Sequence, residues 1–153
     1  MGTLTIRPVS YSDVLDDPRA VSLLSGYADE CAIPLIGQPT PSAPMYAALE
    51  SSHALQCFGA YDGDDLIGFA SVLTTIYPHY SKKVATIESL YVGKNQRGSG
   101  AGRALMQAVE NYAAEHECVA ILYSAPACGD FSQLLARDSH YKRTNSVYCR
   151  SLA

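Results

Sequence analysis

Two hydrophobic periods alternate along the chain. Apolar positions two residues apart predict strands, and apolar positions three and four residues apart predict helices. The strand pattern covers residues 4–9, 55–61, 66–77, 84–92, 119–124 and 145–152. The helical pattern covers residues 18–32, 45–52, 101–116 and 130–137. This order, β-α-α-β-β-β-α-β-α-β, predicts an α/β (α+β) fold with a mixed, mainly antiparallel sheet flanked by helices.

Turn and cap residues separate these elements. Ser12 or Asp13 is expected to cap a helix, and Asp130 is expected to cap the last one. The tripeptide at 62–64, Asp-Gly-Asp, predicts a hairpin turn. Four prolines between residues 34 and 44 predict a long, stiff loop without regular structure.

Size and charge limit the classes of protein that fit. The chain has 153 residues, of which 48% are hydrophobic, enough for an ordinary core in a single domain over residues 1–153. A net charge of −4 argues against nucleic acid as the main ligand, because such ligands require a basic face. No leader and no apolar run of about 20 residues is recognised, so no membrane association is expected.

The cysteines and histidines show no metal-binding spacing. Five cysteines without a Cys-x-x-Cys pair suggest neither a zinc site nor a disulfide framework. We expect reduced, mostly buried thiols in a cytoplasmic protein. The four histidines are scattered, so no metal is expected.

A glycine-rich turn joins the strand at 84–92 to the helix at 101–116. Gly98, Gly100 and Gly102 leave backbone N–H groups without a neighbouring Cβ, directly before a helix start. Unpaired N–H groups and the helix dipole favour a phosphate at such a place. The turn therefore predicts a phosphate-binding loop.

The composition of this turn excludes two common phosphate loops. A Walker A loop ends in Gly-Lys-Ser/Thr, whereas Arg103 and an alanine follow Gly102. A dinucleotide-binding fold requires Gly-x-Gly-x-x-Gly after its first strand, whereas here the spacing is Gly-x-Gly-x-Gly past the middle of the chain.

The arrangement Arg97-x-x-Gly100-x-Gly102, behind a strand that ends Leu90-Tyr91-Val92, instead resembles the coenzyme A pyrophosphate loop of the GNAT family of N-acetyltransferases. The segments Ile-Arg-Pro at 6–8 and Leu-Ile-Gly-Phe-Ala at 66–70 resemble two further family features. The resemblance implies a GNAT-type sheet and acetyl-CoA as acetyl donor. It also implies acetyl transfer to a primary amine of a small molecule or peptide by direct attack in a ternary complex.

The resemblance also implies which residues bind the cofactor. These are Leu90, Tyr91, Val92, Arg97, Gly98, Ser99, Gly100, Ala101, Gly102, Arg103 and Ser124. The backbone N–H groups of the strand residues would bind the acetyl oxygen and the pantetheine arm, with Ser124 on the facing strand lining the gap.

Glu88 is the candidate general base, since it lies on the same strand and alternation predicts the same face as Leu90 and Val92. Family members commonly protonate the leaving thiolate with a tyrosine near the end of the last helix, and this chain has Leu135 and Ala136 there. Tyr141, Ser132 or a water are the alternatives as acid. The thiolate could also leave unaided, with a thiol pKa near 8.5, or activity could be weak.

Two rival functions are considered. One is a non-catalytic acetyl-CoA or CoA sensor, favoured by the missing tyrosine, and the other is an unrelated nucleotide-binding protein. The resemblance places the acceptor pocket near residues 24–46, which carry no recognisable motif. The expected partner is a small-molecule or peptide amine; nucleic acid and membrane are not expected, and a homodimer is left open.

Overall fold

A computed structural model describes residues 2–153 and shows a mixed sheet between two helical layers. The strands are β1 (Leu4–Val9), β2 (Leu55–Asp62), β3 (Asp65–Tyr77), β4 (Lys82–Val92) and β5 (Ile121–Leu122). The helices are α1 (Tyr11–Asp16), α2 (Val21–Cys31), α3 (Ala43–Ser51), α4 (Ala101–Glu115) and α5 (Asp130–Arg137). Short 3₁₀ turns cover Pro18–Ala20 and Lys94–Gln96.

The strands lie in the order β1-β2-β3-β4-β5. The first four are antiparallel to their neighbours, and β5 is parallel to β4. Gly63, in the turn between β2 and β3, has φ of +62°, a conformation that glycine adopts without strain. The mainly antiparallel sheet and the hairpin are therefore confirmed.

The sheet buries a different hydrophobic cluster on each face. The α4 layer covers Ala60, Ile67, Ala70, Val72, Ala85, Ile87, Ala101, Leu105, Val109 and Ala113. The α1–α3 layer covers Tyr11, Val14, Ala20, Leu23, Cys57, Leu66, Phe69 and Tyr91, with Tyr27 and Tyr46 packed against them. Each residue of β4 thus faces one of two distinct environments.

The first helix begins earlier than the sequence suggested. α1 begins at Tyr11, so the expected caps Ser12 and Asp13 lie within the helix and the cap prediction was wrong. The carboxylate of Glu50, on α3, accepts hydrogen bonds from the Tyr11 N–H at 2.7 Å and from the Ser10 hydroxyl at 3.3 Å. The N–H group at the start of α1 thus has its hydrogen-bond acceptor in a residue distant in sequence. No local sequence pattern could indicate this.

The C-terminal part also departs from the sequence-based expectations. β5 covers two residues where 119–124 was expected, and residues 145–152 form no strand. A strand requires a partner, and in the structure this segment pairs with none of the five strands; its Val147, Tyr148 and Leu152 are exposed. α5 begins at Asp130 itself with Gly129 at the cap position, so Asp130 is not the cap.

The cysteines are free but not mostly buried. Only Cys57 is buried, while Cys31 and Cys118 are partly exposed and Cys128 and Cys149 are exposed. The exposed two lie in the turn before α5 and in the unpaired C-terminal segment, where there is no core to cover them. None of the helices in the described chain is long and apolar enough to cross a bilayer.

Truncating Leu105 should show how much α4 contributes to stability. Its side chain is fully buried between α4 and the sheet. Leu105→Ala should lower the free energy of unfolding by about 2–5 kcal/mol, since the cavity relaxes only partly. Urea denaturation measures this. Glu115→Ala, at an exposed position of the same helix, should change it by about 0.5 kcal/mol or less. Equal losses in both variants would contradict this packing.

Candidate active site

A β-bulge places Glu88 at a special point of β4. Ser71 pairs with Ser89, but the next residue of β3, Val72, pairs with Ile87. Glu88 therefore has no partner in β3 and is the extra residue of the bulge. Such a residue redirects a side chain and interrupts the regular ladder.

The Glu88 carboxylate receives two hydroxyl hydrogen bonds. Tyr46, on α3, donates to Oε1 at 2.8 Å, and Ser71, on β3, donates to Oε2 at 2.5 Å. The Ser71 hydroxyl also lies 2.7 Å from that of Ser89, and both serines are buried. Two charge-assisted hydrogen bonds offset much of the cost of removing the carboxylate from water.

Aromatic rings surround this carboxylate. Tyr46 stacks on Tyr11 with ring centroids 3.8 Å apart, and the Tyr27 hydroxyl donates to the Glu88 carbonyl at 3.4 Å. Burial and the charge of Glu88 raise the pKa of Tyr11 to about 12 and raise the pKa of Tyr46 above its ordinary value. Both phenols stay protonated near neutral pH.

The expectation that Glu88 shares a face with Leu90 and Val92 is wrong. Leu90 and Val92 pack against the α4 cluster, whereas the partners of Glu88 belong to the α1–α3 side. Strict alternation fails because the bulge shifts the phase of β4 by one residue.

One edge of β4 is open directly beside Glu88. β5 pairs with β4 only through Ile121 and Leu122, opposite residues 85 and 86. Beyond residue 86, the edge of β4 away from β3 has no strand partner within residues 2–153. Leu90, Tyr91 and Val92 lie on this open stretch. Ser124, expected on the facing strand, lies two residues past the end of β5 and is exposed.

The glycine-rich turn has the backbone of an anion-binding loop. Gly98 and Gly100 have φ of +86° and +91°, and a Cβ on either would meet no atom within 4 Å. The turn therefore borders open space at the N-terminus of α4, where the first N–H groups have no partner within the helix. The residues present fit a pyrophosphate.

The other residues of the turn have distinct environments. Ser99 accepts a hydrogen bond from the Ala101 N–H at 3.3 Å, and Ala101 is buried in the α4 cluster. A Cβ added to Gly102 would lie 3.8 Å from a Val92 methyl group, an ordinary van der Waals contact. Arg103 is exposed on the first turn of α4.

Arg97 is ion-paired with a residue of α2. Its Nη2 lies 2.7 Å from Oε2 of Glu30, and its Nε donates to the Val92 carbonyl at 3.2 Å. Its guanidinium lies over the Tyr91 ring, 5.4 Å from the centroid. Tyr91 thus faces α2, opposite to its neighbours Leu90 and Val92.

Tyr141 forms a side-chain hydrogen bond with α4. Its hydroxyl donates to Oε1 of Glu110 at 2.6 Å, and Tyr123 donates to the same oxygen at 2.8 Å. Burial and the hydrogen bond to Glu110 raise the pKa of Tyr141 to about 12. Ser132, the other protein candidate for the acid, donates to the Gly129 carbonyl at 2.8 Å.

Four residues of this region were not predicted as site residues from the sequence: Tyr27, Glu30, Tyr46 and Ser71. Three of them lie within the stretch 24–46 that was expected to hold the acceptor, but nothing local singles them out. Ser71 carried a signal, as a lone hydroxyl within the apolar run 66–73. No group of three or more His, Cys, Asp and Glu side chains in the described part of the chain is placed to hold a metal ion.

Solved structures share this fold at low sequence identity. A ribosomal-protein-alanine N-acetyltransferase from Brucella melitensis biovar Abortus 2308 is 20% identical, with a TM-score of 0.71 and coverage of 97% of this chain and 99% of its own. An aminoglycoside acetyltransferase from an uncultured soil metagenomic sample, in complex with trehalose, is 16% identical, with a TM-score of 0.76 and coverage of 98% and 97%.

A third structure contains a coenzyme A derivative. AAC(6')-Iy, in complex with the bisubstrate analogue CoA-S-monomethyl-acetylneamine, is 18% identical, with a TM-score of 0.74 and 97% of each chain covered. Among functionally curated proteins, no sequence matches significantly.

The family comparison extends across the open edge of β4 and the glycine-rich turn. The family model described as acetyltransferase (GNAT) matches residues 24–134, well over half of the chain. Members of this family use acetyl-CoA and are acyltransferases. The chain therefore belongs to the GNAT acetyltransferase family.

Proposed function

We propose that this acyltransferase moves an acetyl group from acetyl-CoA to a primary amine of a small molecule or peptide, by direct attack in a ternary complex. The observation that carries the proposal is the position of Glu88. Its carboxylate stands at the bulge of β4, next to the point where pairing with β5 stops. A proton acceptor is thus adjacent to free backbone N–H groups.

Acetyl-CoA, when bound, supplies an activated thioester. The N–H groups of residues 98–103 and the Arg97 side chain would hold its pyrophosphate. The N–H groups of Leu90, Tyr91 and Val92 that point away from β3 would hold the acetyl oxygen, and Ser124 would line the same gap. Backbone donors need no rearrangement during the reaction, which is how an oxyanion is stabilised efficiently.

Glu88 would take a proton from the acceptor's ammonium group, directly or through water, and the neutral amine so formed would attack the thioester carbonyl. Tyr46 and Ser71 hold its carboxylate in one orientation, so the base is positioned before the amine binds. The rings of Tyr27 and Tyr46, both partly exposed, lie beside this carboxylate, a setting that suits a cationic amine.

The neighbours indicate two kinds of acceptor. One structure is named as a ribosomal-protein-alanine N-acetyltransferase, and another as an aminoglycoside acetyltransferase. These names support either a peptide amine or a small polar amine here. We place the reaction in the cytoplasm, where the exposed thiols of Cys128 and Cys149 would stay reduced. A screen of amines and peptides for acetyl-CoA-dependent thiol release would identify the acceptor.

A CoA sensor without turnover is the second candidate. The observation in its favour is that both side-chain candidates for the thiolate acid are engaged elsewhere, since the Tyr141 hydroxyl donates to Glu110 and the Ser132 hydroxyl donates to the Gly129 carbonyl. Tight acetyl-CoA binding together with failure of every acceptor in the screen would favour the sensor.

Gly100→Val should weaken acetyl-CoA binding tenfold or more, about 1.4 kcal/mol or above. A Cβ at this position would occupy the space left for the pyrophosphate, on a backbone with φ of +91°. Calorimetric titration measures the affinity. Gly63→Val, at the hairpin turn with φ of +62°, imposes similar backbone strain away from the loop and should leave the affinity unchanged. Unchanged affinity in a folded Gly100→Val variant would refute the cofactor site.

Glu88→Gln should lower the rate at saturating acceptor by about 10²–10⁴, the usual contribution of a general base. Acetyl-CoA affinity should hardly change. Steady-state kinetics measure the rate, and calorimetric titration measures the affinity.

Glu115→Gln makes the same chemical change on the exposed surface of α4 and serves as the control for the Glu88 variant. Its rate should equal that of the wild type. Equal turnover in Glu88→Gln, with any acceptor found in the screen, would exclude Glu88 as the base.

Tyr141→Phe should reduce kcat by less than about tenfold. A thiolate with an ordinary thiol pKa near 8.5 leaves with little assistance, and this hydroxyl is engaged by Glu110. Tyr123→Phe removes the other hydrogen bond to the same carboxylate oxygen and is the matched control. A loss of 10² or more in Tyr141→Phe alone would identify Tyr141 as the acid.

A further inference from the structure

A single carboxylate lies between the two cations at the entrance to the glycine-rich turn. Oε2 of Glu30 is 2.7 Å from Nη2 of Arg97, and Oε1 is 3.6 Å from Nζ of Lys94. The Tyr91 hydroxyl also donates to Oε1, at 3.3 Å. Glu30 thus forms ion pairs with the same two side chains, Arg97 and Lys94, that could bind an anionic ligand.

Packing of α2 on β4 fixes the backbone that carries this carboxylate. Gly26 lies one helical turn before Glu30, and a Cβ there would come within 2.9 Å of Cζ of Tyr91. Tyr91 is 5% exposed and cannot easily move aside. The backbone of α2 is therefore in direct contact with β4, and Glu30 projects from a fixed helix rather than from a loop.

The ion pairs of Glu30 with Arg97 and Lys94 are accessible to solvent. Burial alone would raise the pKa of Glu30, but the hydrogen bond from Arg97 and the charges of Arg97 and Lys94 lower it below its ordinary value. The side chains of Glu30, Arg97 and Lys94 are 32%, 45% and 68% exposed. Ion pairs this exposed are screened by water and salt, so they contribute little net stability.

A diphosphate would compete well for the same cations. It carries more charge than one carboxylate and offers several oxygens to a guanidinium, which favours bidentate hydrogen bonding. It would also meet the N–H groups of the turn, which Glu30 does not contact in this structure. An exposed carboxylate can hold the cations without a ligand and still be displaced.

We infer that Glu30 is an autoinhibitory anion: its carboxylate occupies the Arg97–Lys94 pair in the free protein and is displaced by the diphosphate of coenzyme A. This inference rests on the proposed function, in which Arg97 contacts the cofactor. The apparent affinity for coenzyme A is then lowered by the fraction of molecules in which the ion pair is closed.

Removing the carboxylate should tighten cofactor binding. Glu30→Gln should lower the calorimetric Kd for CoA about two- to fivefold at low ionic strength, the factor expected from an exposed ion pair. The gain should shrink at high salt, where the pair is already screened. Asp29→Asn is the matched control, because it removes the same charge from the adjacent, exposed position of α2.

A double-mutant cycle tests whether Glu30 acts through Arg97. With Arg97→Ala as background, adding Glu30→Gln should tighten CoA binding less than it does in the wild type, because one of the two blocked cations is gone. Equal gains in both backgrounds would show that the effect does not pass through Arg97 and would overturn the inference.

The remaining outcomes separate this inference from the function on which it rests. Weaker CoA binding in Glu30→Gln would mean that Glu30 orients Arg97 for the cofactor, and equal affinity in Glu30→Gln, Asp29→Asn and wild type would mean no competition; either result overturns the inference alone. Absence of CoA binding in the wild type and in Glu30→Gln would overturn the proposed function as well.

Discussion

The site depends on one extra residue in β4. With Glu88 bulged out, Ile87 and Leu90 both face the α4 layer, although they are three positions apart and regular alternation would put them on opposite faces. The carboxylate meanwhile points into the α1–α3 layer, where Tyr46 and Ser71 satisfy it. The bulge thus solves two packing problems together, since it keeps apolar residues buried on both sides and places a charge where hydroxyl donors exist.

Both helical layers meet at the end of this strand. The α4 layer contributes the glycine-rich turn and the N-terminus of α4, and the α1–α3 layer contributes Tyr46 and Glu30. Because β4 is continuous between Glu88 and Val92, the distance from the carboxylate to the turn is fixed by strand geometry. A change in the packing of α2 on Tyr91 would therefore alter the positions of both the Glu88 carboxylate and the Arg97–Lys94 pair.

The sequence was informative where structure is local and misleading where it depends on distant partners. The turn with Gly98 and Gly100 and the hairpin turn at Gly63 were predictable, because each needs a positive φ that glycine provides. The face of Glu88 was not, since a bulge is defined by the register against β3. The strand expected at 145–152 has a strand-like pattern but no partner, and the donor to Glu88 lies 42 residues away in the chain.

The residue that supplies the carboxylate of the site is distinct from the residues of β4 that build the core. If residue 88 were absent, Ile87 would be followed by Ser89, and the strand would alternate regularly with Ile87 on the α4 side and Ser89 on the α1–α3 side. Both cores would keep their apolar residues, and only the carboxylate would be missing. The apolar pattern of β4 therefore specifies how the strand packs, and the one extra residue specifies where the carboxylate lies.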